Sequence, residues 1–442
     1  MDATMPIVRG VDPLERETMR KVTFRLMPIV MLGYFCCFLD RVNVGMAALT
    51  MNKQFGFSSA VFGFGAGLFF FGYFLAHLPS NLILNKVGAR RWVAPLLAAW
   101  GIVSAMTAFV TGEYSFYAIR LLIGLAEAGF FPGMVLYMTW WFPSAYRSRI
   151  LALLYTSTMI SLIIGPPISA LLLHMDGLGG LFGWQWLFIL EAAPAVVMGV
   201  VTWHLLTDKP TDAAWLRPEQ RTWLGDRLAS ERAQREAVRK YSLAQALLNP
   251  KVWLLTLAYF LHNFSEYALT FFLPLIIRGL GVSSSNMIGL LSALPYVFAL
   301  VALNYWGWHS DRSGERTWHL TSALILCGIA MAAGIVIGPA HPVWLFVSLL
   351  IAVTSTWAVP SIFWSLPTAL LTGTAAAGGI ALISSIGNMG GWIGPWVFGL
   401  VKDATGSDNI ALLVLASGTV ISGIIVIALG HDRRLERIPP HQ

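Results

Sequence analysis

Charge is scarce in this chain: Asp, Glu, Lys and Arg together make up 12% of its 442 residues, about half the share of an ordinary soluble domain. With 57% of the residues hydrophobic, there is more apolar surface than a water-soluble core of this length could hide, which excludes a soluble globular protein. Cysteine is nearly absent. Cys36, Cys37 and Cys327 all fall in apolar stretches, with neither a disulfide framework nor metal-ligand spacing, and are read as packing residues. Acidic residues number 22 against 29 Lys and Arg, a net charge of +7. Such a balance suggests nucleic acid or acidic lipid unless the placement of the charges explains it otherwise.

What the chain has is a series of apolar runs near 20 residues long, each able to cross a hydrocarbon layer of roughly 30 Å as a helix that satisfies its own backbone hydrogen bonds. Twelve are legible, at 27–50, 61–84, 92–111, 116–142, 150–173, 184–206, 252–277, 287–308, 318–337, 343–371, 376–401 and 411–429. Under this topology 24 of the 29 basic residues fall on one side, in the segment before the first run and in alternate loops, and only Lys53, Arg278 and Lys402 fall on the other. The positive-inside rule therefore puts both termini in the cytosol and makes the chain a multi-pass protein of the cell inner membrane, with the bilayer rather than nucleic acid as partner. The opening 25 residues are polar and charged, so the first run is expected to act as its own insertion signal.

Between Asp208 and Pro250 the composition turns polar, and the stretch from Pro218 to Lys240 is patterned as a surface helix. This divides the chain into an N-terminal six-helix half (1–207), a cytosolic linker (208–250) and a C-terminal six-helix half (251–442). A repeat supports the division. The segment Gly307-Trp-His-Ser-Asp311-Arg312-Ser-Gly314-Glu-Arg316 lies between the eighth and ninth runs, and Asn85-Lys86-Val-Gly88-Ala-Arg90-Arg91 lies between the second and third. Paired six-helix halves with a site near the midplane are the design of one class of secondary transporters. The first segment resembles the loop motif of the major facilitator superfamily, G-x-L-A-D-R-x-G-R-K. The second departs from it, with Asn81 at the glycine and Asn85 at the aspartate, which puts the gating contacts of that aspartate in question. The resemblance implies an all-α membrane protein of twelve helices in two pseudo-symmetric halves, with Gly88, Arg90, Gly307, Asp311, Arg312 and Gly314 in gating loops.

A narrower resemblance, to the anion:cation symporter branch of that superfamily, rests on blocks spread over nearly the whole chain: Leu39-Asp40-Arg41-Val-Asn43-Val-Gly45, the run from Arg120 through Glu127 to Gly133, Gly183-Trp184-Gln-Trp186-Leu-Phe-Ile-Leu-Glu191, and the run from Gly379 to Asn388. Within the branch the chain is most similar to bacterial tartrate transporters, with carriers of aldonates, aldarates and aromatic acids close behind. The resemblance implies proton-coupled symport of a small organic anion, with the aspartate and arginine of the first helix and the glutamate of the fourth in proton coupling and anion binding.

The ionisable residues inside the runs point the same way on physical grounds, because each costs roughly 2.5–3.5 kcal/mol to insert and needs a reason to be there. Asp40 and Arg41 are adjacent, so they point about 100° apart and are not simply each other's counter-ions. Arg120 and Glu127 are two turns apart on one face. Asp40 and Glu127 are the proton-coupling candidates; Arg41 and Arg120 are candidates for holding a carboxylate. The C-terminal runs hold little charge besides Glu266. They offer Ser365, Ser384, Ser385 and Asn388 instead, with Ser384 and Asn388 one turn apart, and hydroxyls and an amide suit a substrate's oxygens. Tyr73 is a further donor candidate, and interhelical hydrogen bonding or packing is the alternative role for all of these. Glu191, Glu266, His77 and His262 are taken as single titratable groups in structural roles, Glu266 being the reserve proton site.

Two other functions fit less well. A polytopic membrane enzyme needs a nucleophile, base or metal cluster at the membrane surface, and no such spacing of His, Cys, Asp or Glu appears, so no enzyme activity, cofactor or metal is expected. An exporter of hydrophobic cations is disfavoured by two buried arginines. A monomer taking up an organic anion with protons by alternating access is the expectation.

Overall fold

The computed structural model describes residues 12–237, 248–338, 340–370 and 373–430. Seventeen α-helices follow one another along these residues. α1 (Pro13–Phe55), α2 (Ser59–Val87), α3 (Ala89–Met106), α4 (Glu113–Glu127), α5 (Phe130–Trp141), α6 (Ser144–Leu173) and α7 (Gly183–Leu205) form the N-terminal half. α8 (Pro218–Ala237) lies in the polar linker, where a surface helix was expected. α9 (Pro250–Gly279), α10 (Ser285–Ser313), α11 (Thr317–Ile337), α12 (Pro342–Ala358), the short α13 (Pro360–Phe363) and α14 (Ser365–Leu370), α15 (Gly373–Asn388), α16 (Gly390–Thr405) and α17 (Asp408–Ala428) form the C-terminal half.

Eleven stretches are long and apolar enough to cross a membrane by length and composition. The twelfth crossing is shared by α15 and α16, 16 residues each, separated at Met389. The runs read as single helices at 116–142, 343–371 and 376–401 are thus interrupted, because hydropathy stays high across a break that only tertiary packing demands. The break between α4 and α5 shows why. A Cβ on Gly129 would sit 1.7 Å from the Ser80 hydroxyl of α2, and that hydroxyl accepts from Trp92 Nε1 at 2.7 Å. Large apolar side chains such as Phe24, Leu32, Val197, Val200 and Ile424 face outward, the arrangement of a bundle whose solvent is lipid.

The helices pack as two six-crossing bundles. α2 lies along α16, α6 along α10, and α1 against α9, so these three pairs join the halves. The join is tight at the end of the bundle away from the described chain termini. A Cβ on Gly63 of α2 would fall 2.0 Å from the Pro395 carbonyl oxygen, so α2 and α16 touch backbone to backbone. Arg278 of α9 donates to the Leu49 carbonyl of α1, and His174 pairs with Asn286 at 3.0 Å. Asp403 of α16 caps the first turn of α2 from the opposite half, accepting from the backbone N–H of Ser59 at 3.0 Å and of Ala60 at 2.7 Å. A carboxylate there satisfies two otherwise orphaned donors and meets the positive end of the helix dipole. Asp403→Ala is therefore expected to lower the thermal midpoint of the purified protein, by an amount matching about 1 kcal/mol for a lost N-cap. It should also favour the arrangement in which this end is open, read as faster labelling of a cysteine placed at Gly56.

At the other end α8 packs against α1 and α5. Arg217 and Glu17 pair at 2.6 Å across that seam, and Trp215 stacks on Trp141 with centroids 5.5 Å apart.

Candidate functional site

Arg41 stands midway along α1 with its guanidinium inside the protein, 7% exposed. It forms an ion pair with Glu127, the last residue of α4 before the break. Glu127 is 1% exposed and also accepts from the Cys37 thiol at 2.9 Å. The other arm of the guanidinium reaches Tyr267 of α9 at 3.4 Å, so one cation bridges both halves. Rings surround it: the guanidinium carbon lies 4.7 Å from the centroid of Phe38, 4.9 Å from Phe69 and 5.8 Å from both Phe70 and Tyr73. Aromatic faces stabilise a cation that has left water without using its N–H donors, which stay available to an oxyanion.

Asp40, one residue earlier, faces the opposite way. Trp100 Nε1 donates to one of its oxygens at 2.8 Å and the Ser104 hydroxyl to the other at 3.1 Å. It is 1% exposed and lies against α3, behind the cavity wall. The 100° offset of neighbouring helix residues thus separates the two charges as the sequence implies.

Arg120 is fully buried. Its Nη2 donates to the Ala66 carbonyl at 3.0 Å, and its guanidinium lies 5.5 Å from the Phe69 ring, whose other neighbour is Arg41. Its Nε and Nη1 make no hydrogen bond among the described residues. Two turns of helix place it about 10 Å from Glu127 along the axis, and it does not line the cavity.

The cavity, about 90 Å³, lies between the halves beside Arg41. Its C-terminal wall is a stripe of α9: Tyr259, Asn263, Glu266 and Tyr267. Asn263 donates to Asn388 Oδ1 at 3.3 Å and to the Gly387 carbonyl at 3.1 Å, and Ser384, one turn before Asn388, lines the same space. Tyr73 lines it from the N-terminal half. Of the residues singled out from sequence, the structure gathers Arg41, Tyr73, Ser384, Asn388 and the reserve proton site Glu266 at this cavity, with Glu127 one contact behind. Ser365 is placed elsewhere, its hydroxyl donating to the Ile362 carbonyl at 2.6 Å.

Tyr259, Asn263 and Tyr267 of the α9 stripe are not expected from sequence, although together with Glu266 they occupy positions i, i+4, i+8 and i+7 of one helix face. Sequence alone also presents His262 and Glu266 as single groups. They are four apart, and their side chains approach to 2.9 Å, with the Thr356 hydroxyl 3.4 Å from the other ring nitrogen of His262. Among the described residues, no cluster of three or more His, Cys, Asp or Glu side chains could hold a metal ion.

The loop residues sit at the end bearing the linker. Gly88 has φ of 93°, and a Cβ there would approach the Asp208 carboxylate to 3.1 Å. That carboxylate accepts from the Arg90 backbone N–H at 2.8 Å, and the Arg90 guanidinium lies over Trp203 at 5.7 Å. In the C-terminal copy Asp311 pairs with Arg316, Arg312 lies 5.5 Å over Trp308, Gly314 ends α10 at φ 65°, and Gly307 faces Ser361.

Comparison with known proteins adds an independent line. The profile of the Major Facilitator Superfamily matches residues 30–395. A protein of Agrobacterium vitis named "Putative tartrate transporter" is 48% identical over 424 residues, covering 95% of this chain and 93% of that protein. A "Quinolone resistance transporter" of Acinetobacter baumannii is 38% identical, covering 95% of this chain and 97% of the other. Among solved structures, a D-xylose–proton symporter superposes with a TM-score of 0.72 at 14% identity, covering 93% of this chain and 99% of the other.

Proposed function

Because the chain belongs to the Major Facilitator Superfamily, a family of multi-pass membrane transporters, we propose that it takes up a small organic anion, a hydroxy or sugar acid of the tartrate kind, together with protons. The observation that carries this reading is the Arg41–Glu127 pair at the edge of the cavity. A carboxylate substrate and Glu127 compete for one guanidinium. Protonation of Glu127 releases Arg41, the substrate's carboxylate takes its place through a charge-assisted contact, and a buried cation is never left without an anion. Asp40, one residue away and boxed by Trp100 and Ser104, is the second proton carrier in this scheme. Arg120, with Nε and Nη1 unbonded among the described residues behind Phe69, biases the region towards anions.

Contacts gathered at the end away from the termini support a state open towards the linker, which the asymmetry of basic residues puts in the cytosol of a cell whose inner membrane holds the protein. The halves then rock about the cavity, as in other carriers built from two repeats. Tyr259, Asn263, Ser384 and Asn388 offer the hydrogen bonds a hydroxy acid needs. The rings of Phe38, Phe131 and Trp357 that also line the cavity favour an aromatic carboxylate as the second reading.

Purified protein in proteoliposomes decides between these and the proposal itself. With an inward proton gradient, radiolabelled tartrate or a related hydroxy acid is expected to accumulate above its external concentration, and benzoate-type acids to compete weakly. Two proton carriers and a monovalent anion would move net positive charge, so an inside-negative potential should speed uptake of a monocarboxylate. No accumulation of any acid under a proton gradient would overturn the proposal.

A further inference from the structure

Arg41 is the cation that lines the cavity, and the ionisable group facing it from the C-terminal wall is a carboxyl, Glu266, 4% exposed. His262 stands one turn before it, with Nε2 2.9 Å from Glu266 Oε2, and is itself 1% exposed. We propose that Glu266, backed by His262, admits a second carboxylate on the substrate by taking up one extra proton for it. This inference rests on reading the cavity as an organic-anion site and names how that site handles substrate charge.

A substrate whose carboxylate holds Arg41 lays its far end against the α9 stripe. The Asn263 amide and the Tyr259 hydroxyl suit hydroxyl groups there, beside the Glu266 carboxylate. A second carboxylate at the same place meets like charge. Two such charges about 4 Å apart at an effective dielectric of about 20 weaken binding by about a thousandfold. A proton on Glu266 removes the repulsion and turns the group into a donor towards the incoming oxygen.

The surroundings leave that task to this pair. Within α9, Tyr259 and Tyr267 flank Glu266. Tyr155 of α6 lines the same cavity as Glu266, and its hydroxyl is a hydrogen-bonding group rather than a charge. α12 supplies the Thr356 hydroxyl to His262. Arg41, across the cavity, is already committed to Glu127 or to the first carboxylate. The proton comes from the medium, rests on the Glu266–His262 pair while the dicarboxylate is bound, and leaves on the side where the acid leaves.

Threonate and tartrate test this, because they differ by a hydroxymethyl group in place of one carboxylate. Charge and substrate fluxes measured together in proteoliposomes should show the same net charge per molecule for both acids, one extra proton having travelled with tartrate. In Glu266→Gln, threonate transport should keep its proton count while tartrate moves with one proton fewer, and the pH dependence of the tartrate KM should flatten. Equal proton counts for the two acids in the wild-type carrier would overturn the inference whether or not the variant folds. So would a folded Glu266→Gln protein with an unchanged tartrate proton count, or one that loses both acids equally. Wild-type protein that carries neither acid with protons fails the organic-anion reading first, and this inference with it.

Discussion

Replacing Arg41 by Ala is expected to lower the efficiency of acid uptake by about thirtyfold to several thousandfold, the range set by the 2–5 kcal/mol that truncating one member of a buried charge pair costs. The guanidinium holds Glu127, touches Tyr267 and sits among four rings, so its loss removes the proposed anchor for the substrate and one link between the halves together. The Cys37 thiol is a second donor to Glu127 beside the guanidinium. Arg41→Lys separates charge from shape. An ammonium keeps the positive charge but lacks the planar fork that engages a carboxylate through two parallel bonds, so its uptake should lie between wild type and Arg41→Ala. Initial rates of radiolabelled uptake, beside melting curves that confirm folded protein, check both. Wild-type uptake by Arg41→Ala would place the anion site elsewhere in the bundle.

The membrane architecture was legible because it follows from composition. Apolar runs of the right length have no other stable home, and the basic residues sort by side. The charged centre was legible for a related reason, since an arginine in an apolar run must have an explanation. That Asp40 turns away from it was legible in the helix offset; that Glu127 is its partner was not, because only the packing brings the end of α4 to Arg41, while α3 gives Asp40 its own donors, Trp100 and Ser104. Arg120 illustrates the limit from the other side. Its seven-residue spacing from Glu127 fixes the face but not the depth, and depth decides whether a side chain meets the cavity. Ser365 and Ser384 are alike in sequence, yet one donates back to Ile362 of the preceding short helix and the other lines the site. The α9 stripe was hidden by its aromatic members, which scan as membrane-spanning residues although tyrosine hydroxyls, Asn263 and Glu266 share one face. The helix breaks at Gly129 and Met389 had no signal in hydropathy, because the reason for them is a neighbour's close approach.

Glu127→Gln is expected to uncouple the carrier rather than silence it. The amide has the size of the protonated acid and never competes for Arg41 with a full charge, so the guanidinium stays available to substrate at every pH. Exchange of external labelled acid for internal unlabelled acid, which needs binding and rocking but no proton, should continue at rates near wild type. Accumulation should fall. Each coupled proton multiplies the attainable concentration ratio by about ten for every pH unit of gradient, since one unit is worth about 1.4 kcal/mol. Loss of the proton carried by Glu127 removes that factor and leaves whatever Asp40 contributes. The pH dependence of binding should weaken in the same variant. Measuring exchange and gradient-driven accumulation side by side distinguishes this from a structural lock. If Glu127 only ties α4 to α1, both activities should fall together. If it carries the coupling proton, accumulation falls while exchange persists.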